Sequence, residues 1–185
     1  MSAEVASALN AKFGSSVLHT HDLAGDDTVV VTREIVQDVA RFLKEDPALA
    51  FNMPIDCTGV DYLTFPGHTG PRFEVVYHFY STTLKHRIRV KVRLEADDPT
   101  MPSLQPIYRG FDWFEREVWD MYGVHFEGHH DLRRILLYPE FVGHPLRKDY
   151  PHRGYQPLIP VSRLDPDNED PKLSDVDLNP EAPRE

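Results

Sequence analysis

Residues 115–153 read EREVWDMYGVHFEGHHDLRRILLYPEFVGHPLRKDYPHR, and the two halves of this stretch obey different rules. Upstream of Gly123, Phe111, Phe114, Val118 and Met121 recur at helical spacing, which predicts a helix over residues 112–122 with one apolar stripe. Asp112 and Glu115 have capping-box spacing at its start, and Gly123 is placed to close its end. Beyond Gly123 the period is lost. Pro139, Pro145, Pro151, Pro157 and Pro160 remove backbone donors and bias each preceding residue toward extended conformations, so an irregular strap is expected.

Working outward, residues 55–63, 72–81 and 84–94 read as three strands joined by the turns FPGHTGP and STT. The third is the clearest, because Ile88, Val90, Val92 and Leu94 alternate with Arg87, Arg89, Lys91 and Arg93. Such a basic face is more often solvated than a ligand site, but four like charges on it repel, and a nearby acidic partner surface would relieve that cost. Earlier in the chain, Val5, Leu9 and Phe13 mark a short helix ended by Gly14, and Val29–Val31 a strand. Thr32 is the expected cap of a second helix with the stripe Ile35, Val36, Val39, Phe42 and Leu43. The resulting fold class is α+β: an antiparallel meander sheet with flanking helices, followed by an extended C-terminal strap. Residues 1–142 form the α+β domain including the 112–122 helix, residues 143–164 the strap, and residues 165–185 an acidic, proline-containing tail. Fully extended, the 22 residues of the strap reach about 70 Å, farther than closing a loop requires, so it is read as partner-binding.

Composition narrows the function. A chain of 185 residues suits one domain plus a tail. Its single cysteine, Cys57, excludes an internal disulfide and cannot supply a four-thiolate iron–sulfur site. No apolar run reaches the roughly 20 residues that span a bilayer. A net charge of −10 argues against nucleic acid as the partner, and eight acids against three bases from Arg163 to Glu185 concentrate that charge in the tail. No GxxxxGK[ST] or GxGxxG string is present to cradle a nucleotide.

The string Glu115-Arg116-Glu117, Asp120-Met121-Tyr122, His129 and Arg133-Arg134-Ile135-Leu136, followed by Gly143-His144-Pro145-Leu146-Arg147-Lys148-Asp149-Tyr150-Pro151, resembles the signature of the 30-kilodalton subunit of NADH:quinone oxidoreductase (respiratory complex I). Asp56–Tyr62 resembles that family's first meander strand. The resemblance implies a non-catalytic subunit in the peripheral arm of a proton-translocating enzyme that passes electrons from NADH to a quinone. It further implies no cofactor on this chain, with FMN and iron–sulfur clusters on partner subunits. Implied too are packing against the large quinone-site subunit and residence, through the complex, on the cytoplasmic side of a bacterial inner membrane. The expected interface residues are Glu115, Arg116, Glu117, Asp120, His129, Arg133, Arg134, His144, Arg147, Lys148, Tyr150 and Tyr155.

Two other readings are open. The same signature occurs in scaffold subunits of membrane-bound hydrogenases and of ferredoxin- or F420-linked complexes. A metal-dependent hydrolase is the third, since His125, His129 and His130 with Asp131 offer nitrogen and oxygen ligands. Against it, Gly123 and Gly128 interrupt helical spacing and no zinc-hydrolase motif is complete, so no metal is expected. Glu115, Glu117 and Asp120 lack an accompanying nucleophile and are read as capping and as pairing with Arg116, Arg133 or Arg134. Of the aromatic group Phe111, Trp113, Phe114, Trp119 and Tyr122, Phe114 is assigned to the core, while a helix with one core face must turn some of these rings toward another element or chain.

Overall fold

Thr28–Val31 is a four-residue strand, β2, buried on both faces, and its placement determines the sheet. In the computed structural model, which describes residues 2–154 and 156, it lies second in a five-stranded sheet of order β1-β2-β5-β4-β3. β3 (Met53–Asp61), β4 (Phe73–Tyr80) and β5 (Arg87–Leu94) form the expected antiparallel meander, with Cys57 opposite Tyr77 and Tyr77 opposite Val90. β2, however, runs parallel to β5, so the sheet is mixed and the purely antiparallel expectation is corrected. The physical reason is that β2 carries valines on both sides, which suits an interior strand. Its connection back to the far edge carries a helix across the core face. An edge strand absent from the sequence reading, β1 (Val17–His21), pairs antiparallel with β2.

Three helices, among the described residues, accompany the sheet: α1 (Ser2–Phe13), α2 (Val36–Glu45) and α3 (Asp112–Tyr122). Val5 and Leu9 of α1, Val36, Val39 and Leu43 of α2, and Val118 of α3 join Val29, Val31, Val75, Tyr77, Val90 and Val92 of the sheet in one core. Thr32 makes no side-chain capping bond; a single 3-10 turn, Arg33–Ile35, stands between it and α2. α3 is the crossover of a small parallel pair, β6 (Thr100–Pro102) with β7 (His125–Glu127), whose Met101 and Phe126 are buried together. Its last turn lies directly on β3: a Cβ at Gly59 would stand 2.6 Å from the Tyr122 ring. Only glycine permits that approach.

The basic side of β5 is balanced from within the chain. Glu74, buried on β4, accepts from Lys91 Nζ at 2.7 Å and from Arg93 Nε at 3.4 Å. Arg89 donates to His78 Nε2 at 2.8 Å and pairs with Asp26 at 3.3 Å. Much of the relief that an acidic partner surface would give is therefore intramolecular, because β4 places a carboxylate in the adjacent register. Where an extended strap is expected, residues 143–154 run as successive turns folded against α3 and β3. Tyr155, residues 157–164 and the 165–185 tail lie outside the described residues.

Candidate partner interface

The α3 stripe buries Phe111, Val118 and Met121, while Phe114 is half-buried against the core. Glu115 shares that stripe and does not cap: the helix start has no side-chain capping bond, so the capping box is corrected. Instead its carboxylate, fully buried, accepts from Tyr77 Oη at 3.0 Å, Leu104 N at 2.7 Å and Ser103 Oγ at 2.5 Å. Burial pushes this carboxyl up to about 7, with the donors from Ser103, Leu104 and Tyr77 holding it back.

Further along the helix, Asp120 faces the opposite task. Its Oδ2 accepts from the amides of Ile135, Leu136 and Leu137 at 3.1, 3.0 and 3.0 Å, and its Oδ1 from Arg134 Nη1 at 2.6 Å. Burial alone would raise this carboxyl, but the three amides and the guanidinium together hold it below the usual range. Arg134 continues to Phe141 O at 2.7 Å and Gly143 O at 3.0 Å, so one buried acid organises residues 134–143. Adjacent to it, Gly123 ends α3 at φ +72° and donates to Trp119 O at 2.8 Å. The carbonyls that a helix end leaves without partners are taken up by residues of the expected strap. His144 Nδ1 donates to Asp120 O at 2.9 Å, and Arg147 Nε to Tyr122 O at 2.5 Å. A Cβ at Gly123 would meet both of these side chains within 2.6 Å.

A second acid fastens the segment to the sheet. Asp61, buried at the end of β3, accepts from Lys148 N at 2.8 Å, Leu63 N at 2.9 Å and Arg72 Nη2 at 2.8 Å; Arg72 in turn pairs with Asp149 at 2.7 Å. Burial raises the Asp61 carboxyl, yet the Arg72 guanidinium and the two amides bring it down to about 2. Tyr150 stacks beside Phe141 and fills the space above Gly143 and Gly154, where Gln156 also reaches it.

The histidines are occupied in the same structural way. Asp112, His129 and His130 bring ligand atoms within 4.8 Å of one another, whereas His125 does not join them. His129 Nδ1 accepts from Asp131 N at 3.1 Å, so its proton sits on Nε2, which donates to Asp112 O at 3.1 Å. With both ring nitrogens committed, binding a metal at Nε2 would break one of these bonds and reverse the tautomer. Arg116 donates to Arg133 O and Arg134 O, both at 3.1 Å, clamping the loop from its other side.

Of the expected interface residues, Asp120, Arg134, His144 and Arg147 thus converge on the C-terminal end of α3, while Arg116 reaches the loop from the first half of the helix and His129 lies against its start at Asp112. Glu115 lies apart in the core. Glu117, Arg133 and Lys148 are exposed, Arg133 pairing with Asp131 at 2.9 Å. Tyr155 lies outside the described residues. What faces outward is apolar: because the amides of residues 135–137 point in at Asp120, the Leu136 side chain points out, 61 % exposed, near Trp113 at 70 %. With Arg109, Phe114, Glu117 and Ile135 they line an open groove of about 560 Å³. An excess of aromatic rings on α3 signals Trp113, but nothing in the string RRIL by itself marks Leu136 as the outward member.

Comparison with known proteins agrees with this construction. The family described as "Respiratory-chain NADH dehydrogenase, 30 Kd subunit" matches residues 29–156. The NADH-quinone oxidoreductase C 2 subunit of Rhizobium etli (strain CIAT 652) is 43 % identical over 168 residues, 90 % of this chain and 87 % of that protein. The NADH-quinone oxidoreductase C subunit of Geobacter sulfurreducens is 46 % identical over 146 residues, 79 % of this chain and 87 % of that protein. Among solved structures, the trypsin-resistant fragment (1-134) of Nqo5 superposes with a TM-score of 0.62 at 32 % identity, covering 71 % of this chain and all of the fragment. A chain of the archaeal membrane-bound sulfane sulfur reductase superposes with a TM-score of 0.66 at 26 % identity, covering 82 % of this chain and 86 % of that one. With the matched region enclosing the Asp120 cage, the α3 cap and the Asp61 tie, the chain belongs to the family of the 30-kilodalton subunit of respiratory-chain NADH dehydrogenase, the C subunit of NADH-quinone oxidoreductase.

Proposed function

We propose that this chain is a cofactor-free structural subunit of the peripheral arm of a proton-translocating NADH:quinone oxidoreductase, supporting electron transfer from NADH to quinone without a redox centre of its own. The observation that carries this reading is the Asp120 cage, which holds Leu136 out beside Trp113 in a preset position. A preorganised apolar pair loses little freedom on docking, so more of its burial appears as affinity. The partner is the large subunit that helps form the quinone site, and residues 143–164, which include the anchored turn at Tyr150, are the partner-binding segment. Two features support the absence of a cofactor: Cys57 is the sole cysteine and is buried, and both nitrogens of His129 are engaged. Among the described residues no helix is long and apolar enough to cross a membrane, so attachment on the cytoplasmic side of a bacterial inner membrane comes through the complex. The hydrogenase and ferredoxin- or F420-linked readings share this fold, but the curated relatives at 41–49 % identity are named as NADH-quinone oxidoreductase subunits.

The test is incorporation. Truncating both Trp113 and Leu136 to Ala removes two anchors whose full burial is each worth roughly 1.5–3 kcal/mol. The double variant should accumulate folded, yet co-purify poorly with the flavin and iron–sulfur subunits. Wild-type recovery of those subunits would overturn this docking surface.

A further inference from the structure

The turn joining β3 to β4 holds two large apolar side chains out into solvent. Turns favour small and polar residues, yet here Leu63 is 51 % exposed and Phe65 61 %. Both sit on an ordered frame. Tyr62 stacks on His68 at 4.3 Å and meets Phe65 edge-on at 5.7 Å, while Phe65 N donates to Tyr62 O at 2.9 Å and His68 Nε2 to Pro71 O at 2.9 Å. At the base of the turn, Asp61 accepts from both Leu63 N and Lys148 N, so one carboxylate locks the turn to the segment that carries Lys148. Arg72 doubles the lock, donating to Asp61 at 3.0 and 2.8 Å and to Asp149 at 3.0 and 2.7 Å. This corner is distinct from the Trp113–Leu136 groove. α3 runs beside β3 from Gly110 against Pro54 to Tyr122 against Gly59, which puts the groove at one end of the helix and the turn beyond the other. The 11 residues of α3 separate them by roughly 16 Å.

The charge at this corner is opposite to that of the chain. Residues 61–72 and 144–154 carry four bases, Arg72, Arg147, Lys148 and Arg153, against two acids, Asp61 and Asp149, a balance of +2 in a chain of net charge −10. Arg72 takes both acids, and Arg147 is committed to the carbonyls of Tyr122 and Gly123. Lys148 and Arg153 are left exposed, with no ion pair among the described residues. We propose, resting on the reading of residues 143–164 as the partner-binding segment, that the β3–β4 turn is a second docking surface: Leu63 and Phe65 enter an apolar socket on a partner subunit, and Lys148 meets carboxylates on the rim of that socket. An apolar tip that is rigid before contact loses little freedom on burial, so more of its burial appears as affinity. An unpaired cation at its margin selects an acidic surface and speeds the approach to it. Large exposed apolar side chains rimmed by polar groups are the mark of such a contact.

The experiment is photo-crosslinking in the assembled complex, with p-benzoylphenylalanine in place of Phe65 in one preparation and of Leu136 in another. The expected result at position 65 is capture of one peripheral-arm subunit, at a stretch that carries Asp or Glu. Capture at 136 but not at 65 would overturn the second surface and leave the groove standing, as would capture at 65 of lipid or of a stretch without acids. Capture at 65 alone would do the reverse, and capture at neither would overturn both. In competition with the wild-type chain for entry into the complex, Lys148→Glu and the double variant Leu63→Ser/Phe65→Ser should each be recovered about tenfold less, with the melting temperature of the chain held. If the double variant melts early, Lys148→Glu carries the test, because its tie to Asp61 is through the backbone amide and survives the substitution. Entry of Lys148→Glu at the wild-type level would overturn the proposal.

Discussion

Replacing Asp120 by Asn keeps its shape and removes its charge, which isolates what the cage owes to electrostatics. The remaining side-chain oxygen can still accept from the amides of Ile135, Leu136 and Leu137. The new NH2 then faces Arg134 Nη1, 2.6 Å from the present oxygen, donor against donor. Removing one partner of a buried pair costs about 3–5 kcal/mol. Arg134 retains the carbonyls of Phe141 and Gly143, so the low end, about 3 kcal/mol, applies. Asp120→Ala also strips the acceptor from three amides; residues 135 and 137 are half-buried and 136 is exposed, so water offsets part of that loss, leaving about 1–3 kcal/mol more. Urea unfolding of the chain reads both values. Amide exchange should show residues 135–137 losing protection in the Ala variant while β4 and β5 keep theirs. In a double-mutant cycle with Arg134→Met, the paired change should cost less than the two single changes together. An Asn variant within about 1 kcal/mol of wild type, with additive behaviour in the cycle, would refute the cage as an energetic unit.

Stability should depend on pH through two acids of opposite shift. Glu115 is raised from 4.5 to about 7, so its contribution is complete below 4.5 and is lost as pH rises through 7, by about 3 kcal/mol; the loss should vanish in Glu115→Gln when unfolding is followed from pH 5 to 8. Asp61 is lowered from 3.8 to about 2, so its contribution is present above 3.8 and falls away toward pH 2, by about 2 kcal/mol, with Asp61→Asn flattening the acid limb. Gly123→Ala meets both a left-handed backbone and the His144 and Arg147 side chains and should cost more than about 2 kcal/mol in urea. Gly128→Ala, at φ +79° with open space around it, should cost only the backbone strain of about 1–2 kcal/mol. Arg134→Glu should destabilise the chain itself, whereas Arg133→Glu should leave its melting temperature within about 2 °C; equal effects would mean that Arg134 is not buried in the cage.

Much of this architecture is legible in the residues, for stated reasons. The alternation of Ile88 to Leu94 with Arg87 to Arg93 defines a strand and its faces, and its neighbours follow from short turns. The pairing of Asp120 with Arg134 is foreseeable from an acid flanked by arginines. The parallel insertion of β2 is not, since a run of valines carries no direction. Glu115 is instructive because its sequence signal is ambiguous: three residues after Asp112 it reads as a capping partner, while four after Phe111 and three before Val118 it lies on the buried stripe. Packing decides for the stripe, since Ser103, Leu104 and Tyr77 give this side chain three donors where a capping box gives it one. The first half of the strap departs from expectation because prolines disfavour helix without excluding turns, and the acceptors that hold those turns, Asp61 and the end of α3, are distant in sequence.

The position of β2 has a consequence for the order of folding. Its neighbour β5 follows it by 61 residues, from Thr28 to Arg89, whereas β3, β4 and β5 pair through short local turns. Non-local pairing is slow because the intervening chain must be closed before the contacts form, so the meander should assemble first and receive the N-terminal layer afterwards. On a ribosome adding about 5–20 residues per second, β2 emerges roughly 3–12 s before the strand it needs. During that interval Val29, Val30 and Val31, apolar on both faces, have only β1 to pair with. A segment buried on both faces in the finished sheet thus waits without its main partner strand while the chain is being made.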